Sequence, residues 1–299
     1  MQQAEALDPS AAPARALIER ATLEVTAHDA AAPAVLKDHM PAGSPVHVTY
    51  LATGTLDETV AQAAALAQAG FEPIPHVAAR SLSSEAELRT YIARIVGEAG
   101  ATRVLLIAGD LPVPRGPFAS SLDVLRTGLL EASGLTGVGF ATHPEGHPAV
   151  GDAVMDAAMA EKLAYAAAHG LKAELVTQFC FEAAPIVEHI LRLRRLGVTA
   201  PVRIGLAAPT NPALLLKFAL RCGVGPSLRA ITGQTARFSK LLGVAGPEDV
   251  IADLTRDLSN PQVGDIAGLH FFVFGGVKKA AAWLAAQRGG AASSGDQSR

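Results

Sequence analysis

From about residue 20 to residue 290, short apolar runs alternate with longer segments whose apolar residues recur every three or four positions. The runs are TLEVTAH from Thr22, VHVTYLA from Val46, EPIPHVAA from Glu72, RVLLIAGD from Arg103, GVGFATH from Gly137, AELVTQFCF from Ala173, VRIGLAA from Val202 and GLHFFVFG from Gly268. Several are almost continuously apolar, as strands covered on both faces of a parallel sheet must be. The segments between them, such as LDETVAQAAALAQAG, SLDVLRTGLLEASG and APIVEHILRLRRLG, read as helices, and most close on Gly. Eight strands in strict alternation with helices over 299 residues predict an α/β fold, a (β/α)8 TIM barrel, with one or two extra helices in residues 225–262 before the last strand. The expected layout is a single barrel domain over 1–299 with flexible tails at about 1–12 and 289–299, where the chain turns Ala/Pro-rich or small and polar. An open nucleotide-binding sheet is disfavoured, because no G-x-G-x-x-G follows the first strand and no phosphate-binding G-x-x-x-x-G-K-[ST] follows any strand.

In such a barrel the C-terminal strand ends face the active site. Polar residues are concentrated there: Glu24 and His28, Thr49, His76, Asp110, then His143, Glu145 and His147 in ATHPEGHP, and Gln178 in VTQFCF. A single carboxylate at a strand end is often just a helix cap, and a lone His on an apolar strand is usually a hydrogen-bonded core residue. Glu24 differs, because alternation between Leu23 and Val25 points it inward, where a carboxylate is costly unless it has a task. No metal site is expected. The first strand lacks a His-x-His pair, and Pro144 and Gly146 keep His143 and His147 off a common helical face.

Composition narrows the partners. With 49% hydrophobic and 18% charged residues the chain is well outside the disordered range. A net charge of −3 gives no electrostatic footprint for nucleic acid or an anionic membrane, so a small molecule is the expected partner. Cys180 and Cys222 sit in apolar runs and cannot build a disulfide framework, which fits a reducing, cytoplasmic setting. The polar N-terminus has no signal-peptide pattern, and no stretch has the length of a membrane span. The Ala-rich helices leave room for a homo-oligomer interface.

The ordered set of Glu24, VTY at Val48–Tyr50, Pro75-His76, GDLP at Gly109–Pro112, HPEGHP at His143–Pro148, TQFCFE at Thr177–Glu182 and LHFFVF at Leu269–Phe274 resembles the methylenetetrahydrofolate reductase family over nearly the whole chain. The resemblance implies an oxidoreductase of one-carbon metabolism. Its reaction is NADH- or NADPH-dependent reduction of 5,10-methylenetetrahydrofolate to 5-methyltetrahydrofolate, or the reverse oxidation, usually through FAD. It implies that Glu24 is the general acid that opens the imidazolidine ring, a role suited to a carboxyl whose charged form burial disfavours. By the same resemblance Asp110 stabilises the iminium cation and contacts the pterin, and Gln178 and Phe181 bind folate. Thr49, His76, Gly109, His143, His147 and Lys162 fall at positions that line the cofactor.

The departures from the family concern the flavin. Ala108 replaces the Arg of R-G-D, His143 stands where a Tyr is usual, Pro212 replaces an aromatic that stacks on nicotinamide, and Gly275-Gly276 replaces an Asn-Arg pair. The first strand also reads Val25-Thr26-Ala27-His28 in place of F-F-P-P. This pattern resembles a divergent branch in which hydride passes from the nicotinamide to the iminium without FAD. The alternative is another pterin- or phosphate-binding barrel enzyme, a methyltransferase or lyase, in which Glu24 and Asp110 do acid–base work without redox chemistry.

Overall fold

The computed structural model describes residues 12–51, 53–222, 224, 246–258 and 260–289. All eight apolar runs form strands: β1 (Thr22–Thr26), β2 (Pro45–Thr49), β3 (Glu72–Ala78), β4 (Arg103–Ile107), β5 (Gly137–Thr142), β6 (Lys172–Thr177), β7 (Val202–Ala207) and β8 (Ile266–Phe272). They close in chain order into one barrel, β1-β2-β3-β4-β5-β6-β7-β8, the (β/α)8 fold that the alternation predicts. Adjacent pairs such as β2·β3, β4·β5 and β1·β8 are parallel.

The helices are α1 (Ala12–Glu19), α2 (Ala32–Lys37), α3 (Leu56–Gln68), α4 (Glu85–Ala99), α5 (Ser121–Leu125), α6 (Leu129–Ala132), α7 (Asp152–Ala168), α8 (Ala183–Arg195), α9 (Pro212–Arg221), α10 (Glu248–Asp257) and α11 (Val277–Gly289). Their starts follow local chemistry. Thr55 caps α3 in a reciprocal capping box with Glu58, and Ser84 accepts a hydrogen bond from the Glu87 N–H at the head of α4. The single helix expected over 121–134 is in fact two. Gly128 takes a left-handed φ of 71° between α5 and α6, and the Thr127 hydroxyl donates to the Val124 carbonyl and accepts from the Leu129 N–H. Of the extra segment before the last strand, α10 and a 3-10 turn at Pro261–Val263 are described; residues 225–245 lie outside the described residues, as do 1–11 and 290–299, where the tails were expected.

Two compact units divide the chain, one made of Glu24–Thr142 with Ala149–Val176, the other of Met1–Leu23, His143–Pro148 and Thr177–Arg299. In the first, register settles which way side chains point. Phe140 pairs with Leu106 and is covered by Lys162 from α7, so both rows face the helices. Leu105 and Gly139 therefore face inward, and Leu105 packs with Ile74 and Val176 in an interior cluster. In the second unit Phe271 meets Trp283 of α11 at 5.1 Å, so Phe271 and its partner Leu23 face outward. Thr22 and His270 face inward, joined by a 2.9 Å hydrogen bond between Oγ1 and Nδ1.

Candidate functional site

Glu24 follows Thr22 by two residues and so shares its inward face. Its neighbours Leu23 and Val25, at 0% and 1% exposure, are sealed on the other face, while Glu24 is half-buried. At the end of the strand the Asp29 carboxylate accepts from the Thr26 N–H and hydroxyl, each at 2.8 Å, and so fixes the turn that leaves β1. His28 lies in that turn and is exposed.

On β2 and β3 the alternation brings up a residue that strand-end reasoning passed over. His47 is buried on the same face as Thr49, and its ring meets His76 edge to face at 5.7 Å. The signal was present in PVHVT, where His47 and Thr49 stand two apart. Among the described residues the Thr49 hydroxyl is buried without a hydrogen-bond partner, the condition of a group that a bound ligand would satisfy. The Tyr91 hydroxyl donates to the His76 carbonyl at 2.9 Å and fixes the strand from the helix side.

Asp110 lies three residues beyond β4 and is exposed. Gly109, just before it, has a φ of 90°, and a Cβ there would stand 3.3 Å from the Ala78 Cβ. The turn that presents Asp110 therefore needs glycine.

Lys162 stands apart from the strand-end residues. It belongs to α7, with its ammonium 5.4 Å from the centre of the Phe140 ring and 3.4 Å from the Ser121 hydroxyl, on the helix-facing side of β5. Burial pushes its pKa down to about 8. Of the positions that the resemblance gives to a flavin and its phosphates, residue 108 is an uncharged Ala and Lys162 is directed into the helix layer. Thr49 is the one whose hydroxyl calls for a ligand. A cleft of about 460 Å³ lined by Tyr50 of the VTY motif, Thr55, Ser81, Tyr91, Arg94 and Arg115, among others, takes in none of the residues given a catalytic, folate or cofactor role.

The second unit carries the rest. His143 and His147 meet edge to face at 4.9 Å across a turn closed by the Gly146 N–H on the His143 carbonyl. Gln178, the first residue after β6, is half-buried, and its Oε1 accepts from the Phe179 N–H at 3.0 Å. That bond orients the amide so that Nε2 is the group left to donate to a ligand. Phe181 packs against Phe179 at 5.8 Å and stays partly exposed. Burial, and secondly the charge of Glu145, push the Cys180 thiol up, which removes it as a nucleophile. Among the described residues no three of His, Cys, Asp or Glu are grouped to hold a metal ion, and no helix is long and apolar enough to cross a membrane.

No family model matches the sequence. A crystal structure of a beta-N-acetylhexosaminidase aligns with 90% of this chain and 71% of its own, at 11% identity and a TM-score of 0.40, a likeness too slight to bear on chemistry.

Proposed function

We propose that this protein is an enzyme that reduces 5,10-methylenetetrahydrofolate to 5-methyltetrahydrofolate with hydride taken directly from NADH or NADPH. The observation that carries the reading is Glu24: a carboxyl on the inward face of β1, held between two sealed apolar neighbours and two residues short of the C-terminal end of the strand. In the proposed sequence the Glu24 carboxylic acid gives its proton to N10, and the bond between N10 and the bridging methylene breaks to leave an iminium at N5. The methylene carbon then takes a hydride from the reduced nicotinamide, which becomes oxidised, and Glu24 regains a proton from solvent. The Asp110 carboxylate stabilises the cation electrostatically. Gln178 donates through Nε2 to the pterin, and Phe181 offers its partly exposed ring to the folate. Thr49, with its unpartnered hydroxyl, supports a ligand contact at the end of β2.

An iminium is already a strong hydride acceptor, so a direct transfer needs no intermediate carrier. Ala108 and a Lys162 directed into the helix layer support this flavin-free route. The test is NAD(P)H oxidation followed at 340 nm with methylenetetrahydrofolate and no added flavin, with methyltetrahydrofolate identified as the product. Oxidation that depends on the folate is expected. Turnover of a pterin without nicotinamide oxidation would place the protein among transferases or lyases and end the reductase reading.

A further inference from the structure

The chain that carries Asp110 has no regular structure between β4 and α5, yet it is tied down heavily from one point. The Arg80 guanidinium donates through Nε to the Leu111 carbonyl at 2.6 Å, through one Nη to Pro112 at 2.6 Å and through the other to Ala119 at 3.1 Å. Its backbone adds two more ties, as the Arg80 N–H donates to the Ala108 carbonyl at 2.9 Å and the Arg80 carbonyl accepts from the Arg115 N–H at 2.9 Å. Five bonds from one residue thus reach positions 108, 111, 112, 115 and 119, on both sides of Asp110. The planar fork holds its donors on three separate nitrogens in fixed directions, whereas the three N–H groups of an ammonium radiate from a single nitrogen on a flexible stem. The loop also lies hard against the chain after Arg80, since a Cβ at Gly116 would come within 2.3 Å of the Ser83 carbonyl oxygen.

Other arginines staple backbone in the same manner, but at the opposite ends of strands. Arg194 donates to the carbonyls of Val198, Ala200, Val263 and Asp265, which precede β7 and β8. Arg288 donates to those of Ile18, Glu19 and Ala21, which precede β1. The N-terminal side of a barrel is its stability face and the C-terminal side its chemical face. Arg80 braces the segment leaving the C-terminal end of β4, where stapling fixes the position of a candidate catalytic carboxylate.

We infer that Arg80 is a positioning residue for Asp110, acting through the carbonyls of the loop and not through contact with substrate. The inference rests on the reductase reading for the role of Asp110, but the bracing itself does not. In Arg80→Lys, amide hydrogen exchange across residues 108–119 should accelerate while strands β2 to β5 keep their protection. Displacing a catalytic group by about 1 Å costs on the order of 10²-fold in turnover. Arg80→Lys should therefore lower kcat by roughly that factor with little change in KM for the folate, and cost less than about threefold when added to Asp110→Asn, where the charge to be positioned is already gone. Unchanged exchange in the loop overturns the proposal. So does a kcat loss that persists undiminished in the Asp110→Asn background, or a variant that fails to fold, since a brace on an exposed loop should leave the barrel standing. If the wild type reduces no methylenetetrahydrofolate, the reductase reading falls on its own, and the exchange measurement still decides whether Arg80 holds the loop.

Discussion

Glu24 and Lys162 are both ionisable groups withdrawn from water, and their surroundings assign them different work. Glu24 is half-buried on the inward face of β1, where it can meet a substrate; Lys162 is packed over an aromatic ring in the helix layer, with a hydroxyl as its only hydrogen-bond partner among the described residues. Glu24→Gln is expected to keep the fold and folate affinity and to lose about 10²- to 10⁴-fold in turnover, the usual worth of general acid catalysis. Single-turnover kinetics beside folate titration will check this, and wild-type turnover would remove Glu24 from the mechanism. Lys162 is predicted to make stability depend on pH. Its ammonium releases its proton near pH 8 in the folded chain and near pH 10.5 in the unfolded one. Between those values the unfolded chain holds the extra proton, so raising pH favours the fold, by on the order of 3 kcal/mol across the window. Chemical denaturation at pH 7.5 and pH 10.5 should show this rise in the wild type and lose it in Lys162→Met, which should also be the more stable of the two at pH 7.5.

At the scale of elements, strand packing turns on small residues that let neighbours approach. Gly205 on β7 donates its N–H to the Thr177 hydroxyl at 2.8 Å, and a Cβ there would lie 2.1 Å from the Thr177 carbonyl oxygen and 2.7 Å from the Phe272 ring. Neither the backbone oxygen nor a ring packed against Phe179 and Phe274 can retreat cheaply. Gly205→Ala is expected to destabilise the protein by about 1–3 kcal/mol or more through overpacking, read as a fall in the urea midpoint. An unchanged midpoint would mean that β7 sits less tightly against Thr177 and Phe272 than the distances give. The same packing explains which parts of the element pattern were legible. Near-continuous apolar runs such as RVLLI and VRIGLA are buried on both faces and declare themselves as strands. The break between α5 and α6 was not legible, because apolar spacing continues through Gly128 and only the backbone conformation reveals the stop.

For the whole molecule, the reading without FAD makes a visible prediction. The purified protein should be colourless, and added FAD should leave its rate of NAD(P)H oxidation unchanged. Charge-assisted contacts are worth roughly 1.5 to 3 kcal/mol each and tenfold in affinity is about 1.4 kcal/mol, so the missing cation at position 108 alone should weaken flavin by one to two orders of magnitude. An absorbance spectrum with stoichiometric oxidised flavin would refute this reading and leave the folate chemistry standing.

The alternation of eight strands and their helices is legible along the chain, because strand burial on two faces, capping boxes and terminal glycines are written in local composition. That Glu24 points inward is legible too, since alternation along a strand is a property of the backbone alone. What lies across from what depends on how the elements pack. Nothing near His47 in the chain announces His76, which reaches it through the β2·β3 register. Nothing in ARS announces that the Arg80 fork gathers carbonyls from positions 111 to 119, some thirty residues downstream. Lys162, a cofactor position by resemblance, was placed against Phe140 and Ser121 by the way α7 packs on β5. Local rules fix the face a side chain takes on its own element; the partners it meets depend on register and on the course of loops, where distant segments compete for the same hydrogen-bonding groups.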